Sequence, residues 1–327
     1  MITISIILPI RNEEKYIEKC IESIIDSDIE NFELILVDGG SSDNTLEIIK
    51  KYKNKYLFIK LLDNPKKFTP ISMNIGIKAS VGDYIFIISA HAEYQDNYFS
   101  LLVEKIQQLG ANCVGGVLET EVKNKNRKSN SIKKILTHRF GVGNAEFRIG
   151  SEEIKEVDTV AFGCYTRDTF EKFGLYNEKL IRNQDIELNK RIINGGGSIY
   201  LIPFVKAIYY ARDNFNDLAK NNYENGKWNI LTAYYTKSFN SLSTRHFIPL
   251  LFILSVILPI VLIPLSKYFI YITFSSFISY ISLILIVSIQ DKENSFIYSI
   301  FSFFVLHISY GFGSLRGLLD VIREKYE

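Results

Sequence analysis

Residues 34–45 read Leu-Ile-Leu-Val-Asp-Gly-Gly-Ser-Ser-Asp-Asn-Thr, an apolar run that ends in an acidic residue and two glycines. This order predicts a buried strand, a tight turn, and a helix capped near Asp43. Asp38 stands at the carboxyl end of the strand, where a carboxylate can accept hydrogen bonds from a nucleobase or a ribose. The glycines let a ligand approach the backbone closely. On these residues alone, a nucleotide site and a plain strand–turn–helix corner are equally well supported.

Over the first part of the chain, short β-branched runs alternate with amphipathic helical segments. Strands are predicted at Ile4–Leu8, Glu33–Val37, Tyr56–Leu62, Tyr84–Ser89 and Cys113–Val117, and helices at Glu13–Ser27, Thr45–Lys53, Pro70–Ala79, Asn97–Leu109 and Asn214–Tyr235. The alternation predicts an α/β fold with a mostly parallel sheet covered on both faces. Because ligands of such sheets bind beyond the carboxyl ends of the strands, chemistry is expected in the residues that follow each strand.

The stretch from Glu119 to Glu156 is polar, basic and without clear periodicity. It is interpreted as irregular, with Lys123–Lys128 as a mobile loop. Two alternatives stay open: a solvated linker, and a loop that a ligand orders.

Charge and cysteine content exclude several classes of protein. The chain has 327 residues and a net charge of +2, with 38 Lys and Arg against 36 Asp and Glu. This balance provides no basic field for nucleic acid, so a nucleic-acid partner is not expected. The three cysteines, Cys20, Cys113 and Cys164, are far apart and form no CxxC pair. They are predicted to be free thiols in a reducing compartment.

The ends of the chain differ in character. The first nine residues lack a basic lead and read as a buried strand, so the polar part is expected on the cytoplasmic side of a membrane. After Arg245 come three apolar segments, Phe247–Leu265, Tyr268–Ile289 and Phe296–Leu315. Each is close to the roughly 20 residues that span a bilayer core. A buried helical core in a soluble protein is the alternative.

The orientation of these segments stays open at this point. Three full spans would leave Arg316, Arg323 and Lys325 outside, which conflicts with the positive-inside tendency. One segment is therefore a candidate for a re-entrant or interfacial helix.

The start of the chain carries a family resemblance. Ile6-Ile7-Leu8-Pro9-Ile10-Arg11-Asn12-Glu13-Glu14, followed by the stretch quoted above, closely resembles the opening of inverting family 2 glycosyltransferases, which have a GT-A fold. The resemblance implies that Pro9, Arg11, Glu13 and Asp38 line the pocket of the donor nucleotide. Asn74, on the third predicted helix, is assigned to the same group.

The fourth strand leads to a variant of a family motif. Residues 84–94 stand where the family carries Asp-x-Asp, which holds a divalent cation against the donor diphosphate; here the two acidic positions are Ser89 and His91. The His form resembles succinoglycan-type exopolysaccharide transferases, which normally keep an Asp in place of Ser89. The cation is expected to be Mn²⁺ or Mg²⁺, with a nitrogen ligand favouring Mn²⁺. Ser89 is a weak ligand, Glu93 is a possible helper, and a simple hydrogen-bonded histidine is the alternative role for His91.

Two further segments match the family. Residues 183–191, Asn-Gln-Asp-Ile-Glu-Leu-Asn-Lys-Arg, resemble its Glu-Asp segment, with Gln184 in place of the Glu. This assigns Asp185 as general base, because an inverting transfer needs a carboxylate to take the acceptor's proton. The alternative is that Asp185 only stabilises a helix N-terminus. Residues 157–167 resemble the segment that shapes the acceptor side, which assigns Gly163 and Cys164 to the acceptor. Gln184, from the 183–191 segment, is assigned to the same side.

The single Trp of the chain, Trp228, stands where processive members carry an Arg/Gln-rich motif that ends in Trp. A stacking role towards the acceptor and a membrane-interface anchor are both consistent with its chemistry. The weak match argues against a polymerising synthase.

Together these features predict three regions: a GT-A domain over residues 1–212, interface helices or a linker over 213–245, and membrane-embedded helices over 246–327. The predicted function is transfer of a sugar from a UDP-sugar, or less favourably a GDP-sugar, to a polyprenyl-linked glycan in exopolysaccharide or cell-surface polysaccharide assembly. The expected location is the cell membrane, multi-pass, with the catalytic domain cytoplasmic. The alternatives are a polyprenyl-phosphate sugar synthase and a catalytically weak membrane scaffold.

Overall fold

The computed structural model describes residues 2–290 and 295–324. Nine strands lie at β1 Ile4–Ile10, β2 Phe32–Asp38, β3 Ile59–Asp63, β4 Tyr84–Ile87, β5 Ala92–Tyr94, β6 Cys113–Glu121, β7 Lys155–Glu156, β8 Cys164–Thr166 and β9 Ile199–Tyr210. Thirteen α-helices lie at α1 Ile17–Ile25, α2 Thr45–Lys55, α3 Thr69–Ala79, α4 Tyr98–Leu109, α5 Arg127–Leu136, α6 Arg139–Val142, α7 Glu146–Ile149, α8 Arg167–Phe173, α9 Gln184–Asn194, α10 Phe215–Thr236, α11 Ile248–Leu262, α12 Phe269–Gln290 and α13 Phe296–Glu324. The predicted α/β class is confirmed.

The chain forms two compact units. The first consists of Met1–Thr120 and Ala145–Tyr210, and the second of Glu121–Asn144 and Ala211–Glu327. Residues 121–144, which the sequence analysis assigned to the catalytic domain, therefore belong to the unit that contains the apolar helices.

The first unit is built on one mixed sheet in the order β3-β2-β1-β4-β8-β6-β9-β5, with β7 paired to β9. Strands β3, β2, β1 and β4 are parallel, as expected, whereas β8 pairs antiparallel with both β4 and β6. Apolar side chains of α1, α2 and α4 fill one face, and those of α3, α8 and α9 fill the other. The predicted coverage of both faces is thus observed.

A buried carboxylate joins the parallel strands. Glu33 on β2 accepts hydrogen bonds from Ser5 Oγ at 2.6 Å, Lys60 Nζ at 2.6 Å and the Val81 N–H at 2.7 Å. Burial by itself would raise the pKa of Glu33, but the hydrogen bonds from Lys60, Ser5 and Val81 outweigh it and lower the pKa. Glu33 therefore links β1, β3 and the turn before β4 while it is ionised.

The prediction of an irregular stretch from Glu119 to Glu156 is wrong. Residues 127–136 form α5, which begins with a capping box: Asn126 Oδ1 accepts the Ser129 N–H at 3.0 Å, and Ser129 Oγ accepts the Asn126 N–H at 2.9 Å. Ile132 and Ile135 are fully buried on one face of α5. The lysines make the segment polar on average, and for this reason the helix was not predicted. The capping residues and the apolar spacing of a helix are nevertheless both present in the sequence.

The second unit contains the apolar helices. Thr244–Leu262, Phe269–Ile289 and Phe296–Glu324 are long and apolar enough to cross a membrane, by length and composition. The first two agree with the predicted segments, and the third is longer than predicted. Helices α10 and α13 approach each other very closely, because a Cβ added at Gly226 or Gly313 would overlap the carbonyl oxygen of Tyr310 or Tyr223, respectively. Glycines at this interface let the two backbones touch.

Candidate active site

Three loops meet at the carboxyl edge of the parallel strands. Strands β1 and β2 run in register, so that Ile10 pairs with Asp38, and β4 pairs with β1 up to Ile87. The segment before β8 reaches the same edge, because the Ile87 N–H donates to the Gly163 carbonyl oxygen at 3.2 Å. The predicted residues in the loops after β1, β2 and β4 therefore lie at one edge of the sheet.

Hydrogen bonds tie the first two loops together. Asn12 has a positive φ of 57° and accepts the Ser42 N–H on its side-chain oxygen at 2.8 Å. In return, the Asn12 N–H donates to Ser41 Oγ at 3.0 Å, and the Glu13 N–H donates to Thr45 Oγ1 at 2.7 Å. Asn tolerates this left-handed conformation better than most residues. These bonds fix the backbone on which Glu13 is carried.

Asp38 is buried and shapes its own turn. Its carboxylate accepts the Gly40 N–H at 2.9 Å, the Ser41 N–H at 3.1 Å and Ser41 Oγ at 2.5 Å. Gly40 has a φ of 78°, which a side chain would strain. The Asp38 carboxylate therefore stabilises the turn that follows β2. Its contact with a nucleotide stays a prediction.

His91 pairs with Glu13. The His91 Nε2 atom lies 3.1 Å from Glu13 Oε1, and the imidazole packs edge-on against Tyr16 at a ring-centroid distance of 4.6 Å. The second carboxylate oxygen of Glu13 is buried, and no residue of the described ranges hydrogen-bonds to it. Ser89 Oγ accepts the His91 N–H at 3.3 Å. The predicted donor residue Glu13 and the predicted metal residue His91 are therefore direct neighbours.

Asp185 stands at the start of α9, after Asn183 with a left-handed φ of 60°. Its Oδ1 atom accepts the Ile186 N–H at 2.9 Å. Withdrawal from water raises the pKa of Asp185, and hydrogen bonds from the helix N-terminus and the charge of Arg148 oppose that rise. A carboxylate with a raised pKa is a stronger proton acceptor than an ordinary one.

Helix α9 is held by polar contacts of residues that follow Asp185. Arg191 donates to the Leu175 carbonyl oxygen at 2.9 Å and to Glu187 Oε2 at 2.8 Å. Asn189 accepts Tyr165 OH at 3.2 Å and donates to Thr159 Oγ1 at 2.9 Å. These bonds fix α9 relative to β8 and the segment before it.

Arg148 is a site residue that sequence reasoning missed. Its guanidinium lies 5.4 Å from the ring centroid of Phe147 and 5.2 Å from that of Tyr209, and it acts electrostatically on Asp185. Its Nη1 atom is buried, and within the described ranges no hydrogen-bond partner reaches it. Arg148 lies in the stretch interpreted as irregular, so the sequence carried no specific signal for it.

The acceptor-side candidates differ in their surroundings. Cys164 is fully buried in the core of the sheet, and burial raises the pKa of its thiol far above the usual range. A Cβ added at Gly163 would lie 2.9 Å from Cys113 Sγ, so this glycine serves packing. Gln184 keeps a buried Oε1 atom without a hydrogen-bond partner among the described residues. Of the three, Gln184 is the one with an unused polar atom next to Asp185.

The other predicted site residues lie as follows. Pro9 is half-buried on β1 opposite Val37, and Arg11 is exposed. Asn74 on α3 is buried, and its side chain makes two hydrogen bonds with the backbone of Tyr176. It donates to the Tyr176 carbonyl oxygen at 2.9 Å and accepts the Tyr176 N–H at 3.0 Å. This is a structural role for Asn74, and its contact with a nucleotide stays a prediction. Trp228 is half-buried on α10 in the second unit.

The structure brings some of the predicted residues together. Glu13 and His91 touch, and the Asp38 turn is bonded to the same loop. Within residues 2–290 and 295–324, no group of three or more His, Cys, Asp or Glu side chains is placed to hold a metal ion.

Sequence comparisons give a consistent set of relatives. The model of glycosyl transferase family 2 matches residues 5–170. The dolichyl N-acetyl-alpha-D-glucosaminyl phosphate 3-beta-D-2,3-diacetamido-2,3-dideoxy-beta-D-glucuronosyltransferase of Methanococcus voltae is 31% identical over 328 residues, which cover 97% of each chain. The succinoglycan biosynthesis protein ExoA of Rhizobium meliloti is 28% identical over 211 residues, which cover 63% of each chain.

Solved structures share the path of the backbone. The mannosyltransferase PcManGT of Pyrobaculum calidifontis has a TM-score of 0.63 at 11% identity, covering 98% of this chain and 88% of its own. The S. aureus protein TarS 1-349 has a TM-score of 0.54 at 14% identity, covering 97% and 92%. At such identities the likeness concerns the fold.

Proposed function

The chain belongs to glycosyl transferase family 2 and is a glycosyltransferase with the predicted GT-A fold, and on that premise we propose that it transfers a sugar from a nucleotide sugar to a lipid-linked saccharide. The observation that carries the proposal is the end-to-end similarity to an enzyme named for a dolichyl-phosphate-linked N-acetylglucosamine acceptor. The match spans the apolar helices as well as the catalytic unit. It therefore argues against the alternative of a membrane scaffold without activity.

The donor is a UDP-sugar or, less favourably, a GDP-sugar. The structural relatives are described with UDP-GlcNAc and with GDP-Man, so the fold accommodates both bases. In this chain, the Asp38 turn and the loop from Arg11 to Glu13 place the carboxylates of Asp38 and Glu13 at one sheet edge. These are suited to a base and a ribose. Arg11, which is exposed, is available to an anionic ligand.

Asp185 acts as general base in a single displacement. The acceptor hydroxyl oxygen attacks the anomeric carbon while its proton passes to the Asp185 carboxylate. The bond between the anomeric carbon and the diphosphate oxygen breaks, and the nucleoside diphosphate leaves with the electron pair. Attack from the face opposite the leaving group inverts the anomeric configuration. The raised pKa of Asp185 supports this role, because a base works best when its pKa approaches the working pH.

The Glu13–His91 pair could hold a divalent cation only if the substrate supplied some of the ligands. The imidazole Nε2 and the carboxylate of Glu13, which has one unpartnered buried oxygen, are two possible ligands. Ser89 adds at most a weak one. Mn²⁺ accepts this nitrogen and oxygen set, and such ions commonly take their other ligands from substrate phosphates and water. When bound, the ion would offset the negative charge of the departing diphosphate.

The proposed location is the cell membrane, with the catalytic unit on the cytoplasmic side, where nucleotide sugars are made. The acceptor is a polyprenyl-linked saccharide used in exopolysaccharide or cell-surface glycan assembly. A membrane anchor keeps the site near lipid headgroups and so raises the local concentration of such an acceptor. Trp228 is proposed to contact either the acceptor or the headgroups.

The test uses the full chain in lipid nanodiscs with Mn²⁺. A panel of UDP- and GDP-sugars is offered together with polyprenyl-phosphate-linked N-acetylglucosamine or with bare polyprenyl phosphate, and nucleoside diphosphate release and the anomeric form of the product are measured. We expect release with the saccharide acceptor and a product of inverted configuration. A product on bare polyprenyl phosphate alone would favour the synthase alternative, and a retained configuration would refute the mechanism.

The cation is tested separately. Glu13→Gln and His91→Ala should each raise the Mn²⁺ concentration needed for half-maximal release by about tenfold or more, as expected for loss of one ligand group. Glu47→Gln is the matched control, because Glu47 is an exposed carboxylate in the first turn of α2 and is not assigned to the metal site. An unchanged Mn²⁺ requirement in both variants would remove the pair from the metal site.

A further inference from the structure

One face of α13 carries an apolar stripe whose side chains are exposed near both ends of the helix and partly covered in the middle. Its members are Ile297, Phe301, Phe312, Leu319 and Ile322. At 100° per residue these positions fall within one narrow sector. At 1.5 Å per residue the stripe is about 37 Å long, which exceeds the roughly 30 Å of a bilayer core.

Charged residues flank the second half of this stripe. Arg316 and Asp320 form an ion pair at 2.9 Å, and Asp320 also pairs with Lys227 of α10 at 2.9 Å. These groups stand beside Phe312, Leu319 and Ile322 rather than beyond them. A helix that crosses a membrane separates its apolar and charged parts along its axis, whereas α13 separates them around its circumference.

The opposite face of α13 packs along α10, and the two helices run in the same direction. Leu218 shares a hydrophobic cluster with the buried Phe303 near the start, and Tyr235 OH donates to Glu324 Oε1 at 2.8 Å near the end. Between these points, Ser314 Oγ donates to the Gly226 carbonyl oxygen at 3.1 Å. A residue of α13 therefore lies at the same depth in or above the membrane as the residue of α10 that it contacts.

Helix α10 is too polar to lie in hydrocarbon. Asp217 and Lys220 are exposed, and they flank Leu218, which packs with Phe303 and Leu306 of α13. Each such charge would cost about 2.5–3.5 kcal/mol at the centre of a bilayer. Because these charges stand beside the apolar first half of α13, that half also lies at the level of water or headgroups.

The α11–α12 pair has different surroundings. Phe252 and Tyr280 are 4.2 Å apart between ring centroids, and Thr273 Oγ1 donates to the Val256 carbonyl oxygen at 3.1 Å. In the apolar part of α11 and of α12, 17% of the residues are buried, compared with 33% in the apolar part of α13. The outward sides of α11 and α12 are therefore apolar and uncovered within the described residues, as lipid contact requires.

We propose that α13 lies in the plane of the membrane surface, with lipid against its stripe, and that only α11 and α12 enter the bilayer. Both ends of α13 are then on the same side of the membrane as α10. This arrangement removes the conflict with the positive-inside tendency, because Arg316 and Arg323 stay on the side of α10.

Cysteine labelling tests the topology. The three native cysteines are buried, so single cysteines can be added at the exposed positions Lys220 on α10 and Arg323 on α13 of the full chain in sealed vesicles. A membrane-impermeant maleimide should label K220C and R323C from the same side, and permeabilisation should expose both in every vesicle. Labelling from opposite sides would overturn the proposal.

A depth measurement gives an independent answer. Fluorophores attached at I297C and I322C should be quenched equally by lipids that carry a spin label near the headgroup, and weakly by lipids that carry it near the chain end. A strong chain-end response at either position, or unequal depths along α13, would show a crossing helix instead.

Discussion

Replacing Asp185 by Asn separates the two roles that this carboxylate can have. If Asp185 only favours the N-terminus of α9, the variant should lose about 0.3–1 kcal/mol of stability and keep its activity. If it is the base, activity should fall by about 10²–10⁴-fold, or about 2.7–5.4 kcal/mol of transition-state stabilisation at 1.36 kcal/mol per factor of ten.

The direction of the stability change follows from the pKa. Burial raises the pKa of Asp185 above its ordinary value of 3.8, so the folded chain binds its proton more tightly than the unfolded chain does. The contribution of Asp185 to stability therefore falls as pH rises from 3.8 through the folded pKa, and stays unfavourable above it. Asn carries no such cost, so Asp185→Asn should be as stable as the parent, or more stable, at neutral pH.

The assay pairs nucleoside diphosphate release with thermal midpoints at pH 7 for the full chain in nanodiscs. Asp168→Asn is the matched control, because Asp168 is an exposed carboxylate in the first turn of α8. It should keep its activity and lose a small amount of stability. Turnover retained in Asp185→Asn, together with a lowered midpoint, would refute the assignment of the base.

Three further predictions concern other parts of the chain. Arg148→Gln should raise the pKa of Asp185 further, and the acid limb of the rate against pH should move to higher pH; an unmoved limb would detach Arg148 from the site. Glu33→Gln should lower the free energy of unfolding by about 2 kcal/mol at pH 7. Because the pKa of Glu33 is lowered in the folded chain, this difference should disappear as pH falls through that pKa. Equal losses in denaturant titrations at pH 7 and at acid pH would contradict the account. Gly313→Ala should lower the free energy of unfolding by about 1–3 kcal/mol, because the added methyl group forces α10 and α13 apart. Ser309→Ala is the control and should lower it by less than about 0.5 kcal/mol, because the Ser309 hydroxyl donates only to carbonyl oxygens of its own helix. Equal effects of the two variants would mean that the helices are not in contact.

The periodic part of the fold was predictable because local and tertiary preferences agree there. The β-branched runs at β1, β2 and β4 are also the most buried strands, so their pattern survives folding unchanged. The antiparallel pairing of β8 with β4 and β6 was not visible, since strand direction depends on the path of the connections. Helix α5 was missed because its lysines outweigh the two buried isoleucines in any average over the segment.

The site was predictable where a motif fixes the backbone. The position of Asp38 at a sheet edge follows from its place after an apolar run, and its neighbour loop follows from parallel pairing with β1. The contact between Glu13 and His91 joins residues from separate loops, so only the fold reveals it. Arg148 acts on Asp185 from a one-turn helix without apolar periodicity, and no pattern along the chain could have identified it.

The seam of glycines between α10 and α13 also orders events during biosynthesis. Helix α10 leaves the ribosome well before its partner, because α11 and α12 are translated in between. Until α13 is made, the face of α10 that carries Gly226 has nothing to pack on, so the second unit closes late and its nascent form depends on the membrane or on chaperones for protection. A ribosome that stalls before Phe296 would therefore release a chain with an open flank, which quality-control proteases can recognise.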